Sequence, residues 1–179
     1  MSSLERELRA KRDAGRKLLI PYVTGGLEGW ADAIRAAAAN GADAIEIGIP
    51  FSDPVMDGPV IQQASQRALE SGATPVTILE EARTLDVAIP LIVMCYYNTV
   101  HHAGHERFAA QLSAANVVGA IVPDLPLEES GPWCQAADLH DVATILLAAP
   151  TAPDERLPRI CKRARGFVYS VGLLGVTGE

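Results

Sequence analysis

The feature that most constrains this chain is a unit that keeps returning. A short, nearly continuous apolar run is followed by a longer segment whose apolar residues recur at helical spacing. The runs fall at 18–23, 44–49, 91–96, 119–122, 143–147 and 167–171. The helical patterns between them fall at 30–40, 60–71, 75–85, 105–114, 128–139 and 153–164, so five of the six strands are followed by helices. Strands apolar on both faces and alternating with amphipathic helices predict a parallel sheet covered by helices, an α/β architecture. An open doubly wound sheet announces itself with a G-x-G-x-x-G loop after the first strand. Thr24-Gly25-Gly26-Leu27-Glu28-Gly29 does not have that spacing. The pattern therefore predicts a (β/α)8 barrel, of which six strands of the eight are present. Such barrels need about 200 residues or more, so the expectation is a single incomplete barrel domain over 1–179, cut short after its sixth strand. Residues 1–17, with Ser2 and Glu5 spaced as a capping box, are expected to form an N-terminal helix covering one end.

Composition then removes function classes. The 179 residues carry 15 Lys+Arg against 22 Asp+Glu, a net charge of −7, and six of those basic groups lie within residues 1–17. An acidic surface with no basic tract elsewhere argues against nucleic acid and against an anionic membrane. No window approaches the ~18 uninterrupted apolar residues of a membrane span, and the first residues are charged where a secretory signal is apolar. The expectation is a cytoplasmic protein. Three scattered cysteines, Cys95, Cys134 and Cys161, form neither a disulfide framework nor a zinc-ligand pair.

Chemistry concentrates in the second strand and its loop. Alternation along Ala44-Ile45-Glu46-Ile47-Gly48-Ile49 puts the three isoleucines on one face and Ala44, Glu46 and Gly48 on the other. If the isoleucines face the helices, Glu46 projects into the barrel. Desolvation there raises a carboxylate's pKa toward neutrality, which suits a group that both gives and takes a proton. The structural reading, a Glu paired with a strand Arg or Lys, lacks such a partner. Asp53 and Asp57 follow within Pro50-Phe51-Ser52-Asp53-Pro54-Val55-Met56-Asp57-Gly58-Pro59. This loop leaves the end of the strand where such barrels build their active sites. Its prolines stiffen it, but turn or capping roles for both aspartates fit equally well from the loop alone.

The three lysines, Lys11, Lys17 and Lys162, all lie away from the ends of strands. Schiff-base chemistry is excluded on this reading, and any carbon–carbon chemistry must run on carboxylates. His101, His102 and His105 are read as solvated loop residues, since Gly104 breaks their spacing and no acidic cluster joins them; no metal is expected. Asp124, at the end of the fourth strand, suits a functional or a turn role. The glycine-rich stretch from Gly172 to Gly178 suits a closing or phosphate-binding loop as well as a plain turn.

Several segments together carry a family resemblance: Glu46 to Asp57, Met94-Cys95-Tyr96-Tyr97-Asn98, Pro123-Asp124-Leu125-Pro126-Leu127-Glu128-Glu129, Ala149-Pro150-Thr151 and Gly175-Val176-Thr177-Gly178. In this order they resemble the tryptophan synthase alpha chain, a TIM barrel. The resemblance implies a lyase of tryptophan biosynthesis that cleaves indole-3-glycerol phosphate to indole and glyceraldehyde 3-phosphate without metal or cofactor. It also implies an α2β2 complex with a pyridoxal-phosphate-bearing beta chain. On it, Glu46 is the acid–base carboxylate and Asp57 the carboxylate at the indole N–H. Tyr22 (often Phe in the family), Tyr96 and Tyr169 surround the substrate. Thr177 belongs to a closing loop that meets Asp57, and Gly178 to the phosphate site. Asp53 and Pro54 face the beta chain. The second expectation is a catalytically silent module that binds a complementing segment or a beta chain.

Overall fold

The protein is described from a computed structural model, which places residues 1–172. In chain order the elements are α1 (Ser3–Asp13), β1 (Tyr22–Thr24), α2 (Trp30–Ala39), β2 (Ile45–Gly48), α3 (Pro59–Glu70), α4 (Pro75–Ala82) and β3 (Leu91–Met94). There follow α5 (Tyr97–Ala103), α6 (His105–Ala114), β4 (Val117–Ile121), α7 (Gly131–Leu139), β5 (Ala143–Ala148), α8 (Arg156–Arg163) and β6 (Val168–Ser170). The strands form one sheet in the order β1-β2-β3-β4-β5-β6, every neighbouring pair parallel, with β1 and β6 at its edges. Sequential parallel neighbours joined by helices are the β/α-barrel arrangement that the alternating pattern predicts.

The sheet separates two apolar layers. Ile45, Ile47, Val93 and Ala120 pack outward with Ile34, Ile78, Phe108 and Trp133 of the helices. Ala44, Ile92, Ile121, Ala143 and Ile145 pack inward with Leu4 and Leu8 of α1. Period-two alternation in β2 is therefore realised as expected, isoleucines toward the helices and Ala44 inward. The N-terminal helix closes the inner layer because its neighbours are small: a Cβ at Gly119 would lie 3.0 Å from a Leu4 methyl. Asp43, 1% exposed, ties down the segment after α1. Its carboxylate accepts the Leu19 N–H at 3.0 Å and pairs with Arg16 at 2.9 Å and Lys11 at 3.6 Å. The Leu19 N–H and the two cations hold its carboxyl below the usual carboxylate range, outweighing burial.

Four expectations change. The apolar run at 18–23 gives a strand only from Tyr22. Pro21 has no N–H for the ladder, although the carbonyls of Leu19 and Pro21 still accept from Asp43 and Glu46. The capping box at α1 is half formed: the Ser2 hydroxyl accepts the Glu5 N–H, but the Glu5 carboxylate turns to Arg9 at 2.8 Å. The histidines are not loop residues. His101 and His102 lie on α5 and His105 opens α6, and the rings of His101 and His105 pack against Tyr97. Helices α7 and α8 begin at Gly131 and Arg156, three residues later than the periodicity predicts, because the preceding residues form turns.

Candidate active site

Parallel register sets the site. Tyr22 pairs with Glu46 and Thr24 with Gly48 across β1–β2, and Glu46 pairs with Ile92 across β2–β3. Residues paired in a parallel sheet point to the same side, so Tyr22, Thr24 and Glu46 all face inward. Glu46 is 7% exposed, and burial alone raises its carboxyl to about 7. Among the described residues, neither Glu46 nor Asp57 forms an ion pair with a lysine, arginine or histidine. A protonated Glu46 at neutral pH can donate to a carbon or oxygen in the cleft and then take a proton back.

The β2–α3 loop carries the second carboxylate above the first. Asp57 is half-buried, and burial raises its carboxyl while a hydrogen bond from the Tyr96 hydroxyl lowers it. Tyr96, directly after β3, is buried and also accepts the Met56 N–H at 3.0 Å. Its ring stacks on Phe51, centroids 5.1 Å apart. The loop is fixed from the other end by Gln62 of α3, whose Nε2 donates to the Asp57 carbonyl at 2.8 Å. Both carboxyls act on the Tyr22 phenol and have different surroundings, the arrangement that lets one stay protonated while the other ionises.

Tyr169 lies on β6, and burial first and then the charge of Glu46 raise its phenol above its ordinary range. Tyr22 is likewise raised, by burial first and then by Asp57, Tyr96 and Glu46, against a hydrogen bond with the Thr24 hydroxyl. Three of the four tyrosines therefore surround the two carboxylates. Asp53 is exposed and receives the Ser52 hydroxyl, and Pro54 is half-buried beside it. They lie on the rim next to exposed apolar side chains, Val55 at 79% and Val60 at 74%. Thr177 and Gly178 lie outside the described residues.

The reading of Asp124 left open by the residues is resolved here. Asp124 caps a helix: its carboxylate accepts the Tyr97 N–H at 2.8 Å at the start of α5. The Tyr97 hydroxyl is hydrogen-bonded to His105 Nε2 at 2.9 Å, so that histidine is part of the α5–α6 packing. Among the described residues, no three His, Cys, Asp or Glu side chains gather as a metal site. Residue reading missed Thr24 and Phe51. The i, i+2 spacing of Tyr22 and Thr24 was available as a signal for the first; nothing local signals the second.

Comparison with known proteins gives a single answer. The family model "Tryptophan synthase alpha chain" matches residues 8–179. The alpha chain of Thermobifida fusca is 45% identical over 182 residues, covering 99% of this chain and 67% of that relative. A Mycobacterium tuberculosis tryptophan synthase structure superposes with a TM-score of 0.92 at 36% identity, covering 99% of this chain and 70% of that one. The tryptophan synthase α2β2 complex of Pyrococcus furiosus gives 0.84 at 38% identity, covering 90% and 66%. This chain thus spans about two thirds of its relatives' length. With likeness in sequence and fold running over essentially all of these residues, the chain belongs to the tryptophan synthase alpha chain family.

Proposed function

We propose that the Glu46–Asp57 cleft carries out the family's lyase reaction, cleavage of indole-3-glycerol phosphate to indole and glyceraldehyde 3-phosphate in tryptophan biosynthesis. The observation that carries this reading is an inward carboxyl raised to about 7 by burial, with a second carboxyl held above it by Tyr96. Protonated Glu46 delivers its proton to indole C3, and the Asp57 carboxylate accepts the indole N–H and stabilises the positive charge that develops on the ring. The bond from C3 to the glyceryl carbon breaks, its electrons returning to the indole ring. The glyceryl hydroxyl gives its proton to the Glu46 carboxylate as the aldehyde forms, so Glu46 ends as it began.

Tyr22, Tyr96 and Tyr169 wall the substrate on this reading, and Thr177 and Gly178 contribute loop closure and phosphate binding. The six strands and the helices between them act as one domain with α1 as its end plug, and no metal or organic cofactor takes part. The rim of Asp53, Pro54, Val55, Met56 and Val60 docks the beta chain: exposed apolar side chains on a stiff loop suit a partner surface. No helix among the described residues is long and apolar enough to cross a membrane, and the proposed location is the cytoplasm.

The test is indole release from indole-3-glycerol phosphate by the purified chain mixed with a tryptophan synthase beta chain, for the native sequence and for Glu46→Gln. Indole from the native chain only supports the assignment. Equal release from both, or none from a folded native chain, overturns it.

A further inference from the structure

The loop between β2 and α3 leaves a fixed strand and returns to a fixed helix. The Ile49 N–H donates to the Met94 carbonyl at 2.9 Å, so the chain stays tied to β3 one residue past the end of β2. On the far side Gln62 of α3 holds the Asp57 carbonyl at 2.8 Å. In the arch between these ties Ser52, Asp53, Val55 and Met56 are exposed. A segment so exposed has little packing of its own to set its shape.

Both feet of the arch stand on one side chain. The half-buried Phe51 ring stacks on Tyr96, centroids 5.1 Å apart and planes inclined at 29°, and the Met56 N–H donates to the Tyr96 hydroxyl at 3.0 Å. The backbone around Tyr96 is itself fixed. The Cys95 N–H donates to the Ile121 carbonyl at 3.0 Å, the Tyr96 carbonyl accepts the Thr99 N–H at 3.0 Å, and the Tyr97 N–H donates to the Asp124 carboxylate at 2.8 Å. What these bonds leave undecided is the rotation of the phenol about its two side-chain bonds. The hydroxyl lies at the far end of the ring, so a small rotation carries it out of hydrogen-bond range of Met56. Stacking on a second flat ring fixes the plane, because offset aromatic pairs have a preferred geometry that aliphatic contacts lack.

We propose that Phe51 is a positioning residue for the lyase reaction: its ring holds the Tyr96 ring at the angle where the hydroxyl receives the Met56 N–H, and so sets where the next residue, Asp57, stands. This rests on the reading of Asp57 as the carboxylate at the indole N–H. Phe51 acts only through Tyr96 and the Met56 backbone. A leucine at 51 would still cover the Tyr96 ring but has no flat face to set its plane.

The experiment reads the loop both without and with catalysis. The chain has three methionines, Met1, Met56 and Met94, so nitrogen-15 methionine labelling of the full chain isolates the Met56 amide, assigned by its loss in Met56→Leu. Its exchange with solvent deuterium reports the bond to Tyr96, and the Met94 amide in β3 serves as the control for folding. In Phe51→Leu, Met56 exchange is expected to accelerate about fivefold, the scale of one aromatic pair, in the same direction as in Tyr96→Phe, which removes the acceptor. Phe51→Tyr keeps a flat ring and retains native exchange. In indole release with a beta chain, Phe51→Leu lowers kcat by a similar factor with little change in KM, and Phe51→Tyr restores it. The double variant Phe51→Leu with Tyr96→Phe is no slower than Tyr96→Phe alone, because the ring acts through the hydroxyl. Native Met56 exchange in folded Phe51→Leu overturns the proposal, and so does a double variant whose loss is the product of the two single losses. A native chain that releases no indole, with Met56 exchange still responding to Phe51→Leu, overturns the lyase reading and the role in it while the loop geometry stands.

Discussion

The Tyr96 hydroxyl accepts the Met56 N–H at 3.0 Å while donating to Asp57, which joins the end of β3 to the loop after β2 across 40 residues of sequence. One phenol thereby fixes both the backbone and the carboxylate of the loop after β2. Tyr96→Phe is expected to lower kcat about tenfold, the effect of roughly one hydrogen bond to a charged group. The Asp57 carboxyl then moves further above its ordinary value, and the acid limb of indole release rises in pH. Steady-state kinetics across pH 4 to 9 checks both.

Glu46→Gln is expected to reduce indole release by about a thousandfold or more, since in the proposed mechanism the residue supplies the proton at one step and receives it at the next. The fold should respond in the opposite sense. A Glu raised from 4.5 to about 7 binds its proton more tightly folded than unfolded, so its ionisation destabilises the protein progressively between pH 4.5 and about 7. The amide abolishes that loss. Urea unfolding at pH 8 should show the variant more stable by on the order of 2 kcal/mol, and at pH 4 the two should be close.

The same two carboxyls predict a bell-shaped pH profile. On the proposed roles activity requires Asp57 ionised and Glu46 protonated, so kcat/KM should fall on the alkaline side with a midpoint near 7 and on the acid side through an Asp57 midpoint above the ordinary 3.8. A profile flat from pH 6 to 9 would rule out Glu46 as the proton donor.

Gly48→Ala is expected to displace the Tyr22 ring, because the added methyl occupies the space of the hydroxyl. Displacement of that ring by about 1 Å should reduce kcat/KM on the order of a hundredfold. Circular dichroism should show the sheet retained, since Ala is tolerated in a strand. Native activity in a folded Gly48→Ala chain would remove Tyr22 from the site.

Asp43→Asn tests the latch of the segment after α1. The amide can still accept the Leu19 N–H but loses both charge pairs, whose Arg16 and Lys11 ends reach solvent, so a loss of about 1 kcal/mol is expected at pH 7. Because the native carboxyl is held below its unfolded value, its contribution is present above pH 3.8 and is lost as pH falls through the lower folded value. Native and variant stabilities should therefore converge in strong acid, as measured by denaturant midpoints.

Local pattern carried the layers and much of the site. Alternation in 44–49 was enough to turn Glu46 inward with Ala44 and the isoleucines outward, because a strand's side-chain period is two regardless of its neighbours. The order of strands followed from repeated β/α units, since short right-handed crossovers leave few other arrangements. The loop after β2 was legible as a candidate site, but its two aspartates were equivalent as sequence. The difference between them comes from Tyr96, a residue remote in the chain whose hydroxyl reaches Asp57 and leaves Asp53 to solvent. Helix α5 was missed for a similar reason: the acceptor for its first N–H is Asp124, 27 residues further on. Sequence by itself determined the alternation of strand and helix and which face the residues of β2 take, because these follow from local periodicity. Tertiary structure decided which carboxylate is buried, which phenol holds it and where a helix begins, because each depends on a hydrogen-bond partner that strand register brings from another part of the chain.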